Sequence, residues 1–153
     1  MILCLCFLSE FRKSAKSQQT FHVRRTDIEA DRDIVSWINK NTEHDDAVLS
    51  SFSIEAMVLA YTGRKIIIHP VYETELIRKK IQEFVTALYE NEETFYIFCR
   101  KYGIDYFLYH TVMVLASSVD ASLLYKAGKM NLEKSAAAYK FHFQPEDLRH
   151  FEL

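Results

Sequence analysis

The sequence predicts an α/β fold: a small Rossmann-like three-layer domain with a short, mainly parallel sheet. Short apolar runs alternate with longer segments whose apolar residues recur at helical spacing, the pattern of βαβ units. Glycine and proline are scarce, at three and two in 153 residues, whereas an all-β protein needs many tight turns. A chain of this length is expected to form one domain.

The first half of the chain alternates helices with short strands. Asp31–Lys40 is a predicted helix with acids in its first turn and apolar residues at helical spacing. Ala47–Phe52 is predicted to be a strand. The next helix, Ile54–Tyr61, is expected to be capped by Ser53 and ended by Gly63.

A run of three isoleucines marks the second strand, Lys65–His69. Only a strand covered on both faces is apolar without alternation. The helices Thr74–Glu90 and Glu92–Tyr102 follow, and Ile104–His110 is the third strand. Because strands that alternate with helices pair in parallel, we expect the three strands to be adjacent and parallel.

The last part of the chain continues the alternation. Val112–Gly128 is predicted to be helical with a polar break, Ala136–Phe143 to be a final strand that joins the sheet, and Pro145–Phe151 to be a short helix. The side chains expected to be buried lie on the apolar stripes and central strands: Trp37, Ile67, Phe84, Leu88, Phe107 and Leu108.

The N-terminal run Met1–Leu8 is apolar but far shorter than the roughly 20 residues that a membrane helix needs. It is either a strand or short helix of the domain, or the end of a membrane helix whose earlier part is absent. The second alternative fits the polar tether that follows at Ser9–Gln19. The expected organisation is an apolar stump and polar tether over 1–27 and an α/β domain over 28–153.

Composition excludes several classes of function. The formal net charge of −2 gives no general attraction to nucleic acid. Cys4, Cys6 and Cys99 lack the spacing of a zinc site or disulfide framework, so they are expected to be reduced structural thiols. The chain has no glycine-rich phosphate loop and no nucleophile elbow. We therefore predict no catalytic residue, no metal and no cofactor.

One polar group follows the strand Lys65–His69 and forms the candidate ligand site. His69, Tyr72 and Glu73 come at its carboxyl end, where open α/β sheets place their ligands. Arg64, in the turn before the strand, adds a possible anion contact. These four residues are the ligand-binding candidates. A hydrogen-bonded structural role for His69, with Arg64 paired to a carboxylate, is the alternative.

Several segments in a fixed order carry a resemblance to a known family: Trp37–Thr42, Asp46–Leu49, Tyr61–Arg64, His69–Pro70 with Glu73, Tyr102–Tyr106, Phe143–Leu148 and His150–Phe151. Together they resemble the soluble extracytoplasmic domain that follows the last membrane helix in bacterial GT-C-type integral membrane glycosyltransferases. Those enzymes are relatives of the dolichyl-phosphate-mannose protein mannosyltransferases and of YfhO-like membrane proteins. The resemblance covers roughly Asp31 to Leu153, and it departs from the family pattern at Glu43, where proline is preferred.

The resemblance implies a non-catalytic domain that acts in substrate positioning or assembly. Its implied partner is the membrane-embedded glycosyltransferase portion, with a glycan or lipid-linked sugar as a further candidate and no nucleic acid. The implied location is the extracytoplasmic face of a membrane. Arg12, Lys13 and Lys16 instead favour the cytoplasmic side by the positive-inside rule.

Two further functions stay open from the residues alone. The chain is alternatively a free-standing Rossmann-like small-ligand-binding protein or enzyme that uses the His69–Glu73 mouth, in which case it is cytoplasmic. It is otherwise a protein interaction module that uses its many aromatic side chains.

Overall fold

The computed structural model describes residues 2–6, 25–69, 74–109 and 132–152. Its strands are β1 (Ile2–Cys6), β2 (Ala47–Leu49), β3 (Lys65–Ile66), β4 (Tyr106–Tyr109) and β5 (Phe151–Glu152). Its helices are α1 (Arg25–Asn41), α2 (Phe52–Thr62), α3 (Glu75–Tyr89), α4 (Glu92–Tyr102) and α5 (Ala137–Phe143), followed by a 3-10 turn at Pro145–Asp147. The predicted helical segment Val112–Gly128 lies outside the described residues.

The five strands form one sheet in the order β3-β2-β4-β1-β5, and its strand pairs are parallel. Val48 on β2 lies opposite Ile66 on one side and Tyr106 on the other. The prediction that the three strands now numbered β2, β3 and β4 are adjacent and parallel is confirmed. The second strand is shorter than predicted: it ends at Ile66, and the Ile68 N–H binds a side chain instead.

Helices cover both faces of the sheet, so the three-layer prediction is confirmed. Phe107 and Leu108 are neighbours on β4 and point to opposite faces. Leu108 packs with α1 and α2 residues such as Ile38 and Val58, whereas Phe107 packs with α3 and α4. This explains why the central strands are apolar without alternation.

The larger core is aromatic. The Phe107 ring contacts the rings of Phe84, Phe95 and Phe141, with centroids 4.9–6.4 Å apart. Of the predicted core residues, four are buried and two, Trp37 and Ile67, are only half-buried. Trp37 lies edge-on against Tyr106 at the rim of the smaller cluster.

The N-terminal run is a strand of the domain. Ile2–Cys6 pairs with β4 on one side and β5 on the other. In the structure Ile2–Cys6 forms a strand, as in the first of the two alternatives, and the stump and tether over 1–27 stay a prediction. An unbroken apolar run is typical of a strand in a parallel sheet whose two faces are covered by helices. Helix α1 begins at Arg25, so the expected boundary at residue 27 falls inside its first turn.

The C-terminal segment differs from the prediction. The predicted strand Ala136–Phe143 is helix α5, in which Ala137, Ala138 and Phe141 are buried. That spacing is helical, whereas the local alternation of Phe141, His142 and Phe143 is typical of a strand. The chain instead adds its last strand at β5, and the predicted helix Pro145–Phe151 is a 3-10 turn of three residues.

Within the described ranges, none of the helices combines the length and the apolar character needed to cross a membrane.

Candidate functional site

The strand order creates a topological switch point between β2 and β4. The chain places β3 on one side of β2 and then places β4 on the other. Open α/β sheets bind ligands outside the carboxyl ends of the strands at such a point. We call this region, defined by Ser50, Glu55, Ile68 and His69, the carboxyl edge.

Glu55 joins two strand ends at the carboxyl edge. It lies in α2 and is fully buried. Its Oε1 accepts the Ser50 N–H at 2.9 Å, and its Oε2 accepts the Ile68 N–H. These backbone donors lie beyond the strand ladders and need an acceptor, because an unpaired buried N–H is costly.

The serines at the carboxyl edge also bond to the fold. Ser50 Oγ donates to the Leu108 carbonyl at 3.1 Å, which ties the end of β2 to β4. Ser51 is the N-cap residue of α2, and its carbonyl accepts the N–H groups of Ile54 and Glu55. The expected capping by Ser53 is wrong, because α2 begins one residue before Ser53.

Burial raises the pKa of Glu55 well above its ordinary value of 4.5. The N–H groups of Ser50 and Ile68 and the charge of Lys80 act in the opposite direction, but the loss of hydration outweighs them. With both oxygens engaged by backbone donors, Glu55 is built to hold the carboxyl edge together.

The structure separates the predicted site residues. His69 is exposed at the carboxyl edge, directly after the Ile68 that Glu55 holds. Tyr72 and Glu73 lie outside the described residues. Arg64 precedes β3 and is buried, so it lies at the other end of the strand from His69.

Arg64 holds the C-terminal ends of two helices. Its Nε donates to Thr42 Oγ1 and its Nη2 to the Thr42 carbonyl, both at 2.9 Å, just beyond α1. Its Nη1 donates to the Thr62 carbonyl at 2.7 Å, at the end of α2. A guanidinium suits this place because the last carbonyls of a helix are unsatisfied and carry partial negative charge. The expected carboxylate partner of Arg64 is wrong: its described partners are hydroxyl and carbonyl oxygens.

Other segments that carry the resemblance hold the same end of the sheet. The Asp105 carboxylate accepts the Ala47 N–H at 2.9 Å, and the Asp105 N–H donates to the Ala47 carbonyl at 3.0 Å. Gly63 and Gly103, at φ of 68° and 62°, end α2 and α4 in the left-handed conformation that glycine adopts most easily. We call this end, defined by Thr42, Arg64 and Asp105, the amino edge.

Sequence reasoning missed Glu55. A signal was present, because Glu55 is the one charged residue of a mostly apolar helix. Such a charge is buried only if it is hydrogen-bonded. An acidic residue in that position therefore indicates either a structural residue that hydrogen-bonds two backbone segments or a ligand-binding site.

The chemistry of the described residues is limited. In the described ranges, no group of three or more His, Cys, Asp or Glu side chains could hold a metal. Cys99 is a free, buried thiol, and burial raises its pKa to about 12. A thiol with that pKa is not a nucleophile at neutral pH, so the structural role predicted for Cys99 is supported.

The fold and the two edges define a class: small open α/β domains whose polar side chains brace the ends of a parallel sheet. The sequence profile described as "Dpy19: Q-cell neuroblast polarisation" matches residues 1–119, and the chain belongs to this family. Dpy19 is a family of GT-C-type glycosyltransferases. The GT-C relationship inferred from sequence is thus confirmed, while the bacterial YfhO-like relationship stays a prediction.

A solved structure shares the fold. The chain is similar to the C-terminal globular domain of an oligosaccharyltransferase from Archaeoglobus fulgidus, with a TM-score of 0.59 and 18% identity. The alignment covers 80% of this chain and 87% of that domain. No curated protein sequence matches the chain.

Proposed function

We propose that this chain is a non-catalytic domain of a GT-C membrane glycosyltransferase, which acts in substrate positioning or assembly beside the membrane-embedded portion. Membership of the Dpy19 family supports the link to glycosyl transfer. The shared fold with a C-terminal globular domain of an oligosaccharyltransferase supports the role as a domain. Its proposed location is the extracytoplasmic face of the membrane.

The proposal rests on one observation: the polar side chains at the switch point are hydrogen-bonded to the backbone of the domain itself. Catalysis needs an acid, base or nucleophile that is free to meet a substrate. Here both oxygens of Glu55 accept backbone N–H groups and the Ser50 hydroxyl donates to a backbone carbonyl. These groups serve the fold, which suits a rigid accessory domain.

The first test compares the chain alone with a complete glycosyltransferase that carries it. We expect no glycosyl transfer from the chain alone. In the complete enzyme, removal of the domain should abolish transfer or assembly with the membrane portion. Turnover by the chain alone that is lost in the double variant His69→Ala, Glu73→Ala would overturn the proposal.

A second candidate function is the binding of a small ligand at the His69–Glu73 mouth. It is favoured by one observation: His69 lies exposed at the edge where the switch point occurs. In the complete enzyme, this role predicts that His69→Ala raises KM for the acceptor or donor and leaves kcat unchanged. The exposed His44, in the turn before β2, offers the control variant His44→Ala, which should change neither parameter.

A further inference from the structure

Helix α1 carries a shallow cleft of about 380 Å³ on its outer surface. That volume falls within the range of small-ligand sites, about 300–1,000 Å³. The described residues that line the cleft, which we call the α1 cleft, are Asp33, Ser36, Trp37, Lys40 and Asn41. Asp33 lies four positions before Trp37, and Lys40 and Asn41 lie three and four positions after it, so they share one face of the helix. The cleft is therefore one half-buried indole with exposed polar side chains on both sides.

Contacts with the fold position the indole and the Asn41 amide. The Trp37 ring stands edge-on against Tyr106 of β4, with the centroids 6.2 Å apart and the planes at 73°. The Tyr106 hydroxyl donates to the Asn41 carbonyl at 3.3 Å, and Asn41 Nδ2 donates to the Trp37 carbonyl at 2.7 Å. That bond uses one N–H of the Asn41 amide, which has a second N–H and an acceptor oxygen. The groups of the cleft are thus in place before a ligand arrives, which lowers the entropic cost of binding.

The charges in and around the α1 cleft disfavour an anionic ligand. In the lining, the Asp33 carboxylate and the Lys40 ammonium balance each other. Three further carboxylates lie on the Tyr106 side: burial, together with the charges of Asp46, Asp105 and Glu43, raises the pKa of Tyr106. A phosphate, a nucleic acid or an acidic protein surface would be repelled by this set of charges.

These carboxylates are in large part used by the fold, so they do not form a site for a cation. The Asp46 carboxylate accepts the Glu43 N–H at 2.7 Å, and the Asp105 carboxylate accepts the Ala47 N–H at 2.9 Å. Lys40 already supplies a positive charge in the lining, where it would oppose a second cation.

The small apolar area of the α1 cleft disfavours a protein or lipid surface as the occupant. A stable protein interface covers about 800 Å² on each partner and is held by several buried aromatic or arginine anchors. The described lining of the cleft offers one apolar side chain, Trp37. A ligand that uses this lining is small, uncharged and rich in hydrogen-bonding groups.

A sugar has these properties. One face of a pyranose ring presents C–H groups, which pack against the electron-rich face of an indole. Its hydroxyl groups both donate and accept hydrogen bonds, so they can meet the carboxylate of Asp33, the ammonium of Lys40 and the amide of Asn41 together. Each kind of group in the lining then has a partner on the ligand.

We propose that the α1 cleft binds a neutral sugar residue of a glycan, with Trp37 against the sugar ring and Asp33, Lys40 and Asn41 on its hydroxyl groups. This rests on the proposed function and deepens it, because it gives substrate positioning a site and a class of ligand. The site lies on α1, apart from the His69–Glu73 mouth.

The test uses the fluorescence of Trp37, which is the only tryptophan in the 153-residue chain and therefore reports on the α1 cleft directly. The chain is titrated with methyl α-mannoside, methyl β-glucoside and N-acetylglucosamine, which are neutral sugars. We expect at least one of them to give a saturable change in emission. Its Kd should not depend on salt, because the ligand carries no charge.

A pair of matched variants tests the polar side chains. Asp33→Ala, Asn41→Ala should raise the Kd about tenfold, because two hydrogen-bonding groups are lost. Asp31→Ala, Asn39→Ala removes the same two residue types from exposed positions of α1 outside the lining and should keep the Kd within about twofold. Asp33→Ala alone keeps the bond between Asn41 and Trp37 and should raise the Kd about threefold. Circular dichroism checks that each variant is folded.

A further variant tests the ring. Trp37→Leu keeps an apolar side chain without the indole, and saturation-transfer NMR of the sugar protons measures binding without fluorescence. The signal of the natural chain should be lost in this variant.

Four results would overturn the proposal: no response to any of the three sugars, equal weakening in the Asp31, Asn39 control, an undiminished NMR signal in Trp37→Leu, or a response to tetralysine or inorganic phosphate with none to the sugars. The titration involves no glycosyl transfer. Its failure is therefore distinct from failure of the proposed function, which is measured by removing the domain from the complete enzyme.

Discussion

Glu55 and Arg64 lie at opposite ends of β3, and each bonds to backbone groups of two elements. Glu55 supplies acceptors to the ends of strands, and Arg64 supplies donors to the ends of helices. A buried ionisable side chain is tolerated only with such partners. Removing either side chain therefore leaves buried backbone groups unsatisfied as well as removing a bond.

The first prediction concerns Glu55 and pH. Because burial raises the pKa of Glu55 in the folded state, its protonated form is favoured by folding. The stability that it contributes is complete below the unfolded pKa and is lost as pH rises through the folded pKa. Urea unfolding from pH 4 to 8 should show the free energy of unfolding of the natural chain falling relative to that of Glu55→Gln as pH rises. A relative increase would contradict the burial of this carboxyl.

The second prediction concerns Arg64. Arg64→Met should lower the free energy of unfolding by about 1.5–3 kcal/mol, because charged hydrogen bonds to two helix ends are lost. Arg64→Lys should restore only part of this, since one ammonium cannot reproduce the planar fork. The exposed Arg32→Met is the control and should stay within about 0.5 kcal/mol. Equal effects of Arg64→Met and Arg32→Met in denaturant unfolding would refute the role.

At the scale of elements, the start of α4 holds the C-terminal segment. Glu92 accepts the backbone N–H groups of Arg149 and His150 and the Lys140 ammonium. The His150 ring stacks on Tyr96 at 4.5 Å, and its Nε2 lies 2.8 Å from a carboxylate oxygen of Glu93. Helix α4 thereby positions the residues just before β5, so that this strand can pair in the sheet.

The third prediction follows from Glu92. Burial raises its pKa, but Lys140 and the two backbone N–H groups outweigh burial and lower it below the ordinary value. Its contribution is therefore present above the unfolded pKa and lost as pH falls through the folded pKa, opposite to Glu55. Glu92→Gln should cost about 1–3 kcal/mol at pH 7, and the difference should shrink in acid. Glu93→Gln removes an exposed partner and should cost under about 1 kcal/mol.

Hydrogen exchange distinguishes a local effect of Glu92 on β5 from a general loss of stability. In Glu92→Gln, the amides of β5 should exchange faster while those of β2 keep their protection. Equal acceleration in both strands would contradict a local role for Glu92.

The fourth prediction concerns the strand β4. Phe107→Ala should lower the free energy of unfolding by about 3–5 kcal/mol, because Phe107 is fully buried among other aromatic rings. Tyr61→Ala, at a site 72% exposed on α2, is the control and should be nearly neutral. A loss below about 1 kcal/mol in Phe107→Ala would show that β4 is peripheral.

At the scale of the whole molecule, β1 pairs with two strands that lie more than a hundred residues later in the sequence, β4 and β5. It lies between β4 and β5, with Leu3 opposite both Tyr106 and Glu152. The N-terminal run thus completes the sheet from which β5 extends. Integrity of the domain is expected to depend on this first strand.

The fifth prediction tests that dependence. Leu5→Pro removes a backbone N–H from β1 and should release protection from hydrogen exchange in β5. Leu5→Ala keeps the N–H and should leave β5 more protected than the proline variant does. Equal exchange of β5 in the two variants would contradict the central place of β1.

Local patterns in the sequence were sufficient for the order and type of the central elements. The signals used were local: the run of isoleucines, the helical spacing of apolar residues and the helix-ending Gly63. They were enough to predict the strands β2 to β4 and the helices between them, and to predict that these strands are parallel. Burial of Phe84 and Phe107 followed from the same periodicity. The GT-C relationship was likewise accessible, because several short segments occur in a fixed order.

Only the tertiary structure decided the features that depend on distant segments. Pairing of Leu3 with Tyr106 joins residues about a hundred positions apart, and no local pattern specifies it. Ala137–Phe143 is a helix because its small and aromatic residues pack on the sheet together, against a local alternation that favoured a strand. Arg64 and His69 lie close in sequence but serve opposite edges, since a parallel sheet directs the two ends of each strand to different environments.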